Sequence, residues 1–462
     1  MTNRSFLLGL LALWLGACSD GASGSPAASA DGPEAGPADA PSSDAPAVPD
    51  AAAFDSADDA PPASGTTRLV VADPPARKLY VVAVPQWTQL AELTDVGFDS
   101  HAGFLPLPTG HLLFVDPGRH ELVALDATAD APAIVSRAAV PEKGVAHLAV
   151  DPSAKWAAVS ASGTDGGKGS ITLVDLATWT AKKVELSTGE PGLALGSDPV
   201  HLYHRNDSPP QVEAYRLTDL LAGKIELAGS SAIGEAPHGE VIAHALGKIV
   251  VAADDGMNVL PVQGATFGAK KVVPYAVSGR TGGRAFYARL SADGRHLYSY
   301  LRTAPAKSTW KDWSNDLFVV DLAKDEAKRI PVGNGLVYRL ADSPKLALFV
   351  QYSPSGDQAL LLDADPASPT FQTVTAKVPL AALTKAPGPD GDVWSSDAFR
   401  IAGMTPDGAF GFVTHGGDGR ISVIDTGKKE VVRTIEVATK LDGGGYVVGV
   451  TRGAPLVDTI GR

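Results

Sequence analysis

A unit of three or four short strands recurs along this chain, and no other feature limits the fold as tightly. Its clearest copy is TPDGAFGFVTHGGDGRISVIDTGKKEVVRTIEV (405–437), which reads as strand, tight Gly-rich turn, strand, turn and strand. A small sheet of this kind cannot bury a core alone. Related stretches are AHLAVDPSAKWAAVSAS (146–162), FYARLSADGRHLYSYL (286–301), VYRLADSPKLALFVQY (337–352) and RIAGMTPDGAFGFVTH (400–415). Looser copies are HAGFLPLPTGHLLFVDP (101–117) and HGEVIAHALGKIVVAAD (238–254). Third strands follow in GSITLVDLAT (169–178), NDLFVVDLAK (315–324) and GRISVIDTGK (419–428), and a short VEL, IPV or IEV strand closes several units.

First strands are expected near 101, 146, 192, 238, 285, 337 and 401, mostly 45–52 residues apart, with a loop (385–397) lengthening the last step. Four antiparallel strands at this period predict β-propeller blades, each too small to be stable without its neighbours. The ends complete the count. TRLVVADPPARKLYVVAVPQWTQLAEL (67–93) offers a second, third and fourth strand without a first, and GGGYVVGV (443–450) offers a first strand without the rest. Pairing the two closes the ring and removes an open sheet edge. The expectation is an all-β, single propeller of eight blades over 66–462, with seven as the alternative count. The 49 glycines and 35 prolines suit many short strands joined by turns.

The 405–437 copy resembles the YVTN family of bacterial propeller repeats. Thr405-Pro406-Asp407-Gly408 matches the family turn, Phe412-Val413-Thr414-His415 stands at its name-giving position, and Ile421 to Asp425 matches its third strand. The resemblance implies architecture rather than activity.

The N-terminus reads as an export signal. Arg4 precedes the apolar run SFLLGLLALWLGA, which is short for a bilayer span. The run ends in Leu15-Gly16-Ala17-Cys18, which resembles the lipobox of bacterial lipoproteins. That implies a signal peptide over 1–17, acylation of Cys18 and attachment to a membrane through the lipid. Ser19-Asp20 after the cysteine resembles the signals that favour the outer membrane. Cys18 is the sole cysteine, so stability rests on packing without intrachain disulfides. Residues 18–65 are Ala, Pro, Asp, Ser and Gly almost throughout, a composition with little to bury and therefore a tether spanning roughly 35–40 Å as a loose coil. The net charge of −13 excludes a phosphate-neutralising surface, and so a nucleic-acid partner; nine of the acidic groups lie in 19–65. The protein is expected to be a monomer.

Candidate chemistry follows from the fold. First strands of propeller blades line the central channel, and three of the expected ones begin with histidine: His101, His147 and His238. A strand repeats its face every two residues, so all three could project alike. Imidazoles converging from separate blades suit zinc, which takes three or four such ligands. Asp99 and Glu240 are neighbouring carboxylates able to ligate or to orient a ligand. The alternative is three unrelated channel or loop histidines. His201 and His204 are three apart and should face opposite sides of a strand. His415 is expected on an exposed loop, and Trp310 and Trp313 as caps on a blade edge or as a partner platform. GTDGGKGS (163–170) lacks the context of a phosphate loop, and no catalytic motif stands out.

APHGEVIAHALGKIVVAAD (236–254) and GGGYVVGVTRGAPLVDTIGR (443–462) resemble periplasmic zinc-chaperone propellers that serve ABC zinc importers. His238 matches a histidine of that family's motif. A single histidine stands where the family often has two, and 126–144 lacks the family's His- and Asp-rich loop. The resulting expectation is a non-enzymatic binding propeller of the cell envelope that holds zinc, another divalent metal or an envelope protein partner. The alternatives are a lactonase-type hydrolase and a surface interaction scaffold.

Overall fold

A computed structural model describes residues 65–140, 146–162, 169–186, 192–197, 200–303, 307–385 and 399–461. The expected signal peptide, Cys18 and nearly all of the tether lie outside these residues, as do 163–168 of GTDGGKGS and the loop 386–398. The chain forms an all-β, eight-bladed propeller. Blades 1 to 7 follow in order as 105–139, 146–185, 192–232, 240–273, 288–334, 336–379 and 402–436. The closing blade joins Gln89–Thr94, Lys78–Val84 and Thr67–Asp73 to the C-terminal strand Tyr446–Thr451. In that seam Val70 faces Val448 and Thr67 faces Thr451, as the split halves of the repeat predict.

The turns explain the repeat. An aspartate ends strand after strand, and its carboxylate accepts the backbone N–H groups two or three residues on. Asp175 Oδ1 accepts Ala177 N at 2.8 Å and Thr178 N at 3.2 Å; Asp321, Asp425 and Asp116 do the same for their own turns. The residue four positions beyond each aspartate takes a positive φ, at Trp179, Asp325, Lys429 and His120. These side-chain-to-backbone bonds replace the ladder bonds that the chain gives up as it reverses. On the opposite turn, Gly408 has φ +74°, and a β-carbon there would stand 2.4 Å from Ser343 Oγ of the preceding blade.

Middle strands are mostly buried, whereas fourth strands are largely exposed, several with a single buried anchor. In Thr180–Glu185 only Val184 is buried, and in Glu430–Glu436 only Ile435. Lys182, Lys183 and Glu185 leave that outer edge charged, which discourages pairing with another sheet. The core is a circle of clusters, each shared between neighbours. Phe412 of blade 7 shares one cluster with Val71 and Tyr80 of the closing blade and Phe114 of blade 1; Leu113 of blade 1 shares another with Leu148 and Val159 of blade 2. Leu202 joins blade 3 to both sides, and Phe318, Phe349 and Val413 carry the contact through blades 5, 6 and 7. Each such buried side chain contributes about 1.5–3 kcal/mol.

First strands lie against one another around the axis. They approach closely where Gly449 passes blade 7, since a β-carbon there would meet Met404 O at 2.3 Å. Beyond Thr451 the chain does not leave the domain. Gly453 N donates to Pro108 O of blade 1 at 2.8 Å, Asp458 Oδ2 lies 3.4 Å from Arg289 Nε of blade 5, and His244 of blade 4 bonds Thr459 Oγ1 at 3.0 Å. Val150 N then donates to Thr459 O, and Gly461 N to Leu148 O, on the inner edge of blade 2. Blades 1 and 5 are on opposite sides of an eight-membered ring, so residues 452–461 cross the channel. They do so at the end where the first strands finish.

Candidate functional site

The opposite end of the channel, where the first strands begin, divides into a histidine side and an aromatic side. His101 does not lie on a strand, as expected, but in the loop ahead of Leu105–Pro106. Its position is set by Asp99, whose Oδ1 accepts the backbone N–H of His101 at 2.8 Å and of Ala102 at 3.0 Å. His147 is on the first strand of blade 2, Ala146–Val150, and is buried. The two imidazoles meet edge to face with centroids 5.0 Å apart. Glu240 begins the first strand of blade 4 and places Oε1 4.0 Å from His147 Nδ1. That carboxylate also accepts Leu193 N at 3.2 Å and Arg205 Nε at 3.0 Å, both from blade 3. Glu240 and Arg205 are each almost fully buried, and Arg205 Nη1 also bonds Pro237 O at 2.7 Å and Asp207.

His238 stands two residues ahead of its strand, in the loop rather than on the predicted face. Its Nδ1 is 2.7 Å from Phe286 O of blade 5, and its ring packs on the Phe286 ring. A carbonyl only accepts, so Nδ1 carries the proton and the lone pair falls on Nε2. This is the tautomer in which a backbone-tethered histidine ligates metals. Protein-held zinc takes three or four ligands. The structure brings two imidazoles, His101 and His147, into contact, while His238 is held separately against blade 5. Among the described residues no group of three or more His, Cys, Asp or Glu side chains is arranged to hold a metal ion.

The aromatic side was not foreseen. Arg339 sits at a β-bulge in the first strand of blade 6, between Val337 and Leu340, with φ +66°. The bulge turns its guanidinium toward the rings of Tyr287, Tyr338 and Tyr446, with centroids 5.2, 5.0 and 5.8 Å from Cζ. Its Nη2 donates to Tyr446 Oη at 2.9 Å, and that hydroxyl donates to Ser100 O at 2.6 Å in the loop that carries His101. Burial pushes the Tyr446 hydroxyl well above the ordinary phenol range.

Below Arg339 a cavity of about 200 Å³ runs down to the C-terminal tail. Its walls are mainly apolar, from Phe104, Leu290, Leu340, Ile401 and Met404. Its floor is ionic: Arg289 lies 3.7 Å from Asp342 and 3.4 Å from Asp458. Burial raises the Asp342 carboxyl to about 6, against the pull of Arg289.

The remaining candidates are structural. His201 stacks on Tyr203 while His204 pairs with Glu213 at 3.3 Å across the strand, so the two rings occupy opposite faces. Glu213 is held down at about 2 by the His204 bond. His415 is buried, not an exposed loop residue, because it ends a second strand that packs inside blade 7; its Nε2 meets Ser422 Oγ at 2.7 Å. Trp310 and Trp313 are buried with Leu336, Tyr352 and Leu383, capping the gap between blades 5 and 6.

No protein-family model matches the chain, and no curated protein matches it. Solved structures share the architecture. AztD from Citrobacter koseri is 13% identical with a TM-score of 0.60, covering 84% of this chain and 99% of its own. Its apo form is 14% identical with a TM-score of 0.59, covering 83% and 98%. Dihydro-heme d1 dehydrogenase NirN in complex with DHE is 14% identical with a TM-score of 0.57, covering 84% of this chain and 76% of its own. At this identity the likeness is one of fold.

Proposed function

We propose that the chain is a binding propeller of the cell envelope, tethered through lipid on Cys18, which takes a divalent metal ion on the histidine side of its channel mouth. One observation carries this reading: His101 and His147, from consecutive blades, meet at 5.0 Å with the Glu240 carboxylate beside the second ring. Zinc is the ion that best suits neutral imidazoles. His101 and His147 would hold it, and His238, in the tautomer that presents Nε2, is the candidate for the further ligand. The sequence resemblance to periplasmic zinc-chaperone propellers supports the same assignment. This role needs no catalysis.

Zinc titration of untagged protein against a competing chelator tests the proposal. Saturable one-to-one binding is expected, and replacing His101, His147 and His238 together with Ala should abolish it. Affinity that survives the triple change overturns the site. Turnover of lactones that depends on Asp99 or Glu240 overturns the non-catalytic reading. The tether is tested separately, since Cys18→Ala should release the protein from the membrane fraction.

A further inference from the structure

We propose that the cavity beneath Arg339 is a second binding site, one that takes a small monocarboxylate with an apolar body. The inference is independent of the metal reading. Its starting point is a charge imbalance. Among the described residues Arg339 has no carboxylate within ion-pair distance, and its Nε is buried without a hydrogen-bond partner. Arg339 is half-buried, and its Nε has given up water without gaining an acceptor, which is costly. Tyrosine faces offset part of the cost through the ring quadrupole and one hydroxyl offsets a little more, but none of them carries a formal negative charge. The planar fork of an arginine is matched by a carboxylate, which it binds through two parallel hydrogen bonds.

The rest of the cavity defines the ligand further. Its apolar walls favour a hydrocarbon body, and the rings of Tyr287 and Tyr446 at the top favour a flat one. A cavity of about 200 Å³ has room for a single-ring acid. The floor sets the charge. There two carboxylates, Asp342 and Asp458, share one cation, Arg289, and Asp458 Oδ2 has no hydrogen-bond donor among the described residues. A second negative charge on the ligand would be driven against that floor. The site therefore selects a monoanion over a dianion by repulsion as well as by attraction.

Benzoate is the probe, with benzamide as the uncharged isostere and terephthalate as the dianion of the same width. Calorimetric titration at pH 7.5 into the full chain should show one-to-one binding of benzoate, at least tenfold weaker binding of benzamide, and terephthalate weaker than benzoate. Arg339→Gln should weaken benzoate at least tenfold, and Arg339→Lys, which keeps the charge without the fork, should recover part of the loss. Circular dichroism of both variants establishes that they fold. If Arg339→Gln does not fold, Arg339→Lys alone must still separate benzoate from benzamide. Equal binding of benzoate and benzamide, an Arg339→Gln variant that binds as wild type, or no binding of benzoate at millimolar concentration overturns the proposal. Zinc affinity of the Arg339 variants should remain at the wild-type level, so failure of this site and failure of the histidine site are read separately.

Discussion

Asp458 reaches back across the channel to Arg289, 3.4 Å away on the far side of the ring from the blade 1 contacts of Arg452 and Gly453. This ion pair and the Thr459 bonds to Val150 and His244 hold the end of the chain over the channel floor.

Replacing Asp458 with Asn should loosen that end without unfolding the blades. Arg289 keeps Asp342 as a partner, so the expected cost is about 1–2 kcal/mol, nearer a partly exposed pair than a fully buried one. Hydrogen exchange should accelerate at Val150 and Gly461, whose N–H groups bond across this junction. Unchanged protection at both amides would show that the tail is held by its apolar contacts instead.

Gly449→Ala should damage ring closure. The new β-carbon would stand 2.3 Å from Met404 O and 2.7 Å from Thr405 Cα, both backbone atoms that cannot rotate away. A cost of about 3 kcal/mol is expected, at the upper end for overpacking. Urea denaturation measures it, and a loss below about 0.5 kcal/mol would mean that the seam has slack.

The Glu240–Arg205 pair links blade 4 to blade 3 in a buried setting. Glu240→Gln leaves the Arg205 guanidinium with Asp207 and a carbonyl, so a loss of about 3 kcal/mol is expected, at the low end for a broken buried pair. The double change Glu240→Met with Arg205→Met should cost less than the single one, because both buried charges are removed together and only the partly exposed Asp207 loses a contact. A double variant that is worse than the single would contradict this.

Acid stability carries two opposed signs. Burial holds His415 and His244 at about 4, with Arg400 and Arg420 adding to the effect at His415. The unfolded chain protonates these histidines near 6.5, so their contribution to stability is intact above 6.5 and is lost as pH falls toward 4. Asp342 opposes this. Its folded value, about 6, exceeds the unfolded one, so the native state takes up its proton first and gains stability as pH falls from about 6 toward 3.8. Unfolding free energies measured from pH 7 to 4 should therefore decline, less steeply in His415→Gln and more steeply in Asp342→Asn. Parallel profiles for all three proteins would show that these groups do not titrate as assigned.

Much of the fold was legible because strand periodicity, turn residues and the split repeat all report local geometry. The first strands expected at 146 and 192 begin there, and Tyr446–Thr451 closes the ring against Thr67–Asp73. The site was legible only in part. The spacing pointed to His147, but it could not show that His101 and His238 precede their strands, since a two-residue period says nothing about loops. Arg339 left no signal, because its aim depends on a bulge and a positive φ at a residue that does not advertise either. His415 looked exposed beside GGDG, yet the turn begins only after its ring is enclosed. The path of the tail across the channel had no periodic signal either, although Leu456, Val457 and Ile460 supply the apolar side chains that seat it.

The pairing of Thr67 with Thr451 also has a mechanical side. The polypeptide enters the domain on a strand with hydrogen-bonded neighbours along both flanks, Lys78–Val84 and Tyr446–Thr451. A pull on the residues ahead of Thr67, along the strand, must shear both ladders at once instead of unzipping one rung at a time. A force applied through those residues is then shared by two ladders.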